Sequence, residues 1–564
     1  MRSDWKFSEI PYRRPDIDAF QQRYHMLCEK LSWAKNFQDV QGVIRERSEL
    51  NQQIAAIETL LYARAYHDAT NAYYQEEFQT VLPELAALDT ETLSTAIANS
   101  PYAAEIDAAY GPQFRLLLQK DVRLRAKGKA EQVRLAELES AYQQKRATLR
   151  YMLRGEAVSG GKLFELYASP DRALRKDAFD AERQTYLAHT DEFASLLKEL
   201  VQKRHALAQA NGFSDYMEYA AIANVRLDYG HKELLAFCDA VREHIVPIYL
   251  RLQQEQRERL ELDVLYPYDA ALLFPDGNAK PVTGEAALAD AAKTMYHGLS
   301  PEAGAFFDEM VRHEMLDVAG SDNKISGMGF CTLLPCEWKM PFVFASSSGT
   351  ASDVSVYTHE LGHGLQGYLS MRAQTLDDYF GGGPDLCEVH SKTMELFSYE
   401  YAPLFFGEQS ERFLLEHRYQ AVKEICAFSA SYVFESWLYS HIDASISEWA
   451  EAHDRISKSF GRAQNNASWR EDTLAGSALF SDMAIYMFPF YVISYALSAM
   501  AAQQLKAAYD KDPRDGWARY YALCAAGGSL SYKEAMLSAG LRLPYLPETV
   551  AEVAAQFRRQ LFSE

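Results

Sequence analysis

No Cys-x-x-Cys pair occurs anywhere in this chain of 564 residues. Its seven cysteines, Cys28, Cys238, Cys331, Cys336, Cys387, Cys426 and Cys524, are odd in number and widely spaced. Neither a disulfide framework nor a thiolate metal site is therefore expected. Cys331 and Cys336 form the closest pair, and reduced thiols are the expectation there too. No stretch approaches the ~20 apolar residues of a membrane span. Met1-Arg2-Ser3-Asp4-Trp5-Lys6 starts no apolar run of the kind that opens a secretory leader. Low-complexity tracts and an internal repeat period are also missing. Positive charge is in short supply: 57 Lys and Arg stand against 78 Asp and Glu, a net charge of −21. Phosphate binding needs a basic face, so nucleic acid and anionic membranes are not the expected partners. A reducing, cytoplasmic compartment is the expectation that follows.

What the chain does have is enough length for two to four domains or one large domain with lobes. Its composition, 48% hydrophobic and 24% charged, is that of a folded globular protein rather than a disordered one. From Pro15 to about Thr80 apolar residues recur at helical spacing, with Ile54, Ile57, Leu60 and Leu61 as one set. Residues 114–155 form a second, charge-rich helical segment. Ser169-Pro170-Asp171 reads as a helix start with Ser169 as the cap, and Asn211-Gly212 as a stop. Further helix is expected over 231–262 and 285–298. The one strand-like region is 326–348, where Gly327–Leu334 and Pro341–Ala345 are short apolar runs bounded by Pro or Gly. Helix resumes near Asp353 and continues to the end. The expected fold is mainly α with a small β-sheet, divided into a helical N-terminal lobe (1–200) and a catalytic lobe (201–564).

Just after the strand region stands His359-Glu360-Leu361-Gly362-His363. Two His four residues apart on a helix lie on one face, and neutral imidazole is a preferred zinc ligand. Glu360 is rotated about 100° from His359, so it reaches a water on the metal rather than the metal itself. Val354, Thr358, Leu361, Leu365 and Tyr368 supply the buried stripe of that helix, and Ser352 or Asp353 can cap it. Gly362 and Gly364 each cost roughly 1 kcal/mol inside a helix; close approach of a neighbouring backbone or a substrate would account for them.

A catalytic zinc needs a third protein ligand. A His six residues past His363 would mark the metzincin pattern, but Leu369 is there. A Glu on a second helix is the alternative. Gly381-Gly382-Gly383-Pro384 breaks the chain, a helix can start at Pro384 or Asp385, and Glu388 falls in its first turn. Lys392 stands where the thermolysin pattern has Asp, which argues against that branch. Glu395, on the same face as Glu388, can orient a ligand His as an acceptor or make a surface ion pair. His390 can contact substrate or pack. Strand 341–345 can present an edge to which a peptide backbone adds, or lie in the core.

These residues resemble the thimet-type zinc oligopeptidases, specifically the oligoendopeptidase F subfamily. The resemblance runs from Pro341-Phe342-Val343-Phe344 through the His-Glu motif to Glu388-Val389-His390-Ser391-Lys392-Thr393-Met394-Glu395. It continues at Pro489-Phe490-Tyr491-Val492-Ile493-Ser494-Tyr495-Ala496 and at Gly528-Ser529-Leu530. It implies a large, two-lobed, prolate helical zincin with a deep substrate channel. It implies one Zn2+ per chain on His359, His363 and Glu388, with Glu360 as general base. The substrates it implies are short unfolded peptides, including the proline-containing, collagen-derived peptides cut by Pz-peptidase-like members. Tyr491 and Tyr495 match two Tyr that stabilise the oxyanion in that family. The family also places a His near position 484, where Ala484 stands. Either the register shifts, or a donor such as Tyr486 or Tyr357 substitutes, or the site is weaker. A non-catalytic, zinc-stabilised peptide-binding scaffold and an exopeptidase of similar fold are the competing readings.

Overall fold

The computed structural model describes residues 5–125, 127–281, 284–321, 323–325, 329–346, 350–462 and 477–562. Helix dominates because start signals recur along the chain. Asp16, Asn36, Asn71 and Asp215 each accept a hydrogen bond from a first-turn N–H, satisfying a donor that has no partner within its helix. The first periodic region resolves into Ile17–Ser32, Phe37–His67 and Ala72–Ala86. The charge-rich region gives Pro112–Arg125 and Lys129–Thr148. Asp171, rather than Ser169, caps Arg172–Ala188 by accepting from Ala173 and Leu174. Asn211 ends Thr190–Ala210, followed by Gly212 with φ 84°. Among the described residues, no helix is long and apolar enough to cross a membrane.

Contacts divide the chain into two compact units. The first joins Met1–Arg123, Lys280–Ser410 and Ala501–Arg542; the second joins Leu124–Ala279, Glu411–Met500 and Leu543–Glu564. This differs from the sequential division at 200/201, since residue 200 lies inside Thr190–Ala210 and within the second unit. The helices between Ile17 and Tyr110 instead share the unit of the His-Glu motif. Their core of Leu27, Val40, Ile44, Leu50, Ile97 and Phe114 closes on Leu376 and Tyr379, from the turn that follows the motif helix. Buried Arg47 pairs with Asp378 at 2.8 Å in the same place. Periodicity shows that a helix has an apolar face; it does not say what that face covers.

In the first unit a three-stranded sheet runs in the order β3-β5-β4, with β3 Leu316–Asp317, β4 Phe330–Leu334 and β5 Met340–Phe344. β5 is parallel to β3 and antiparallel to β4, and it is buried along its whole length. The expected strand at 341–345 is thus the central one, flanked on both sides, so it cannot add a peptide as an extra strand. β3 and β4 are the outer strands. Val343 and Ala345 donate toward β3, to Met315 and Asp317. Pro341, two residues earlier, faces that side beyond the end of β3, so its missing N–H removes no ladder bond. Residues 326–328 and 347–349 of the strand-like region lie outside the described residues. The second unit holds a hairpin that the sequence reading lacked, β1 Tyr151–Leu153 with β2 Glu156–Val158. Arg154 and Gly155, at φ 51° and 92°, form the doubly left-handed two-residue turn that suits the strand twist. Strands this short show no alternation to read.

Candidate metal centre

The motif lies on helix, as its spacing requires, but the helix is not regular. Ser352–Ser355 is α, Val356–Glu360 widens into a π-turn, and Leu361–Ala373 is α again. Such turns recur at functional sites. The first helical segment begins after Ala351 with no side-chain cap, so neither Ser352 nor Asp353 caps it. Val354, Thr358, Leu361 and Leu365 are buried as the stripe predicts, whereas Tyr368 is only half-buried.

The second helix, Pro384–Phe397, starts at the predicted break, with Gly383 as N-cap and Pro384 in the first position, where a missing N–H costs nothing. Glu388 opens its second turn. Gly362 explains how the two helices meet. A β-carbon there would lie 2.7 Å from the Ser391 α-carbon and 2.9 Å from the His390 carbonyl oxygen. Two backbones are in contact, and only glycine permits it. At Gly364 the nearest atom is a side-chain carbon of Phe306 at 3.3 Å, a much softer constraint.

This approach brings His359, His363 and Glu388 together, with one ligand atom from each within 4.8 Å of the others. Both Nε2 atoms stand 3.6 Å from Glu388 Oε2. Bonds of ~2.1 Å in a tetrahedral array put ligand atoms about 3.4 Å apart, so the spacing suits one zinc-sized ion. The donor set, two imidazoles and a carboxylate, is that of hydrolytic zinc sites. Burial pushes His363 down to about 4, leaving it neutral with a lone pair to donate. His359 Nδ1 lies 2.5 Å from Glu395 Oε1, which leaves Nε2 for a metal. Burial disfavours charge on His359, but the bond to Glu395 outweighs it and the imidazole titrates above its ordinary value. Glu395 is steadied by Lys392 at 3.3 Å. Ser391 donates to Glu388 Oε2 at 2.9 Å; the sequence reading missed this residue, although a hydroxyl three positions after a helical Glu signals it. Glu395→Leu should weaken metal affinity about 10- to 100-fold, read by zinc titration against a competing chelator. An unchanged affinity would mean that the short contact orients nothing.

Glu360 stands outside the ligand group. Its carboxyl lies against Gly329, where a β-carbon would be 3.5 Å from Oε1. Burial pushes this carboxyl above the usual range; His359 opposes the shift, and Glu388 and Glu395 add to it. His390 packs. It is buried, its Nδ1 meets Cys524 Sγ at 3.4 Å, its carbonyl accepts from the Tyr520 hydroxyl, and burial pushes it down to about 3. Tyr491 and Tyr495 belong to the second unit. They are partly exposed, and their rings pack edge to face at 5.8 Å. Ala484 lies on the short helix Met483–Met487, capped by Asp482. Tyr486 is no substitute for a His there: fully buried, it stacks on Tyr142 and donates to the Phe193 carbonyl. Tyr357 is also buried, on the π-turn itself. All seven cysteines are free thiols.

Oligopeptidase PepF of Bacillus subtilis (strain 168) is 21% identical over 417 residues, covering 72% of this chain. The chain spans 59% of the length of that curated relative. A solved structure of Pz peptidase A with inhibitor 2 superposes with a TM-score of 0.91 at 28% identity over 99% of both chains. Another, described as an oligoendopeptidase F, gives 0.89 at 29% identity over 99% of both. Residues 7–124 match the peptidase M3 N-terminal domain. Residues 166–553, which include both histidines, Glu360 and Glu388, match peptidase family M3. With most of its length inside that match, the chain belongs to peptidase family M3.

Proposed function

We propose that this chain is a zinc-dependent endopeptidase that hydrolyses short unfolded peptides, proline-containing ones among them. His359 and His363 each offer Nε2 to the ion and Glu388 offers Oε2. Zinc held there supplies Lewis acidity, polarising a carbonyl and acidifying water. Glu360 takes the proton of the attacking water and returns it to the leaving amine. The Tyr491 and Tyr495 hydroxyls donate to the oxyanion as its charge develops. Because Ala484 carries no donor and the Tyr486 hydroxyl is already engaged, that task rests on these two tyrosines.

The observation that supports this reading best is the pairing of a closed ligand trio with a carboxyl beside it that is not a ligand. A purely structural ion has no use for such a base. Internally quenched peptides of graded length, incubated with and without a zinc chelator and mapped by mass, provide the test. Internal cuts that stop on chelation and return with zinc are the expected result. Absence of chelator-sensitive cleavage would leave the peptide-binding scaffold, and trimming from the ends alone would make the chain an exopeptidase.

A further inference from the structure

Arg154, Val225, Glu261 and Phe490 of the second unit are non-glycine residues with positive φ. Phe490 has φ 61° and Val225 has φ 59°, a left-handed conformation that L-residues with a β-carbon resist, β-branched ones above all. Val225 follows Asn224, the C-cap of Tyr216–Ala223, a place usually given to glycine. Strain of this kind persists only where surrounding contacts over-determine it. At Phe490 those contacts hold both of its peptide groups. Its N–H donates to Glu435 Oε2 at 2.7 Å, and its carbonyl accepts from Arg226 Nη1 at 2.8 Å. Arg226 Nη2 also donates to Ser494 Oγ at 3.3 Å. Thus one guanidinium spans from Phe490 to the first turn of the helix that carries Tyr495. The Phe490 ring is wedged against Tyr432 and Tyr439.

Stability alone does not account for this arrangement. Arg226 is 3% exposed and Glu435 is fully buried, and well-packed apolar side chains commonly serve a core as well as buried ionisable ones. Among the described residues, Glu435 Oε1 has no hydrogen-bond partner. Burial pushes this carboxyl up to about 8; the Phe490 N–H, Arg204 and Arg226 oppose the shift, and Asp482 adds to it. Near neutral pH it is an uncharged acceptor. What the pair secures is one backbone conformation, immediately before Tyr491.

We propose that Arg226 and Glu435 are positioning residues: they clamp the Phe490 peptide groups and so aim the Tyr491 hydroxyl at the developing oxyanion. The clamp rests on the reading of Tyr491 as an oxyanion donor. Its test is a double-mutant cycle on kcat and KM with a quenched peptide, with zinc content as a check on integrity. Tyr491→Phe and Arg226→Leu should each lower kcat about 10- to 100-fold with little change in KM. The double variant should be no slower than the slower single, because both changes remove one interaction. Glu435→Leu should also lower kcat, and Glu435→Gln should restore most of it, since a neutral amide keeps the acceptor. If Tyr491→Phe turns over like the wild type, the donor reading falls and the clamp with it. If Tyr491→Phe is slow but the Arg226→Leu effect multiplies fully onto it, the clamp alone is overturned. Should Arg226→Leu fail to fold, Glu435→Leu takes its place in the cycle, and a folded Glu435→Leu with wild-type kcat overturns the clamp.

Discussion

Glu360→Gln should bind zinc as the wild type does and cleave peptides about 10²- to 10⁴-fold more slowly. The amide matches the carboxylate in size, so it fits against Gly329 as Glu360 does. It is not among the residues whose ligand atoms converge, so the ion loses no partner. What disappears is the ability to take a proton from water and pass it on. Removing Glu388 acts differently: the ion loses its one carboxylate ligand, and zinc content and turnover should fall together. Metal analysis and single-turnover cleavage on the same samples separate the two cases. Normal cleavage by Glu360→Gln would remove this residue from the mechanism.

Gly362→Ala should cost the protein both stability and metal. Helix propensity alone favours alanine here by about 1 kcal/mol. The new methyl, however, would stand 2.7 Å from the Ser391 α-carbon and 2.9 Å from the His390 carbonyl oxygen. Both are backbone atoms, which cannot rotate away, so the two helices must separate. Overpacking of this kind costs roughly 1–3 kcal/mol or more, enough to reverse the propensity gain. The same displacement moves Glu388 away from both imidazoles, and metal sites tolerate only about 0.2 Å in ligand distance. Thermal unfolding with and without zinc, together with zinc titration, reads both effects. Gly364→Ala is the comparison: its neighbour is a ring carbon of Phe306 at 3.3 Å, which can give way, so the loss should be smaller. If Gly362→Ala gains stability and holds zinc like the wild type, the contact between the helices is not what fixes the site.

These predictions separate two kinds of information in the chain. Local signals carried the elements: apolar spacing and the Gly-Pro break gave the helices and the start of Pro384–Phe397. The ligand types and their spacing carried the chemistry, since His359 and His363 share a helical face whatever surrounds them. The short hairpin at Tyr151–Val158 and the two residues of β3 were missed because strands of two or three residues leave no period. The π-turn under His359 was missed too, since it depends on packing rather than propensity.

By itself, then, the sequence determined a mainly helical chain and a pair of histidines on one helical face. Both are consequences of short-range geometry, fixed by residues a few positions apart. Only the tertiary structure decided that Glu395 orients His359, that His390 packs against Cys524, that β5 is central rather than at an edge, and that the N-terminal helices close on the turn after the motif. Each of these is a choice between partners distant in sequence. The interactions that make that choice, non-directional apolar burial and backbone contact at a glycine, leave no spacing in the chain to be read.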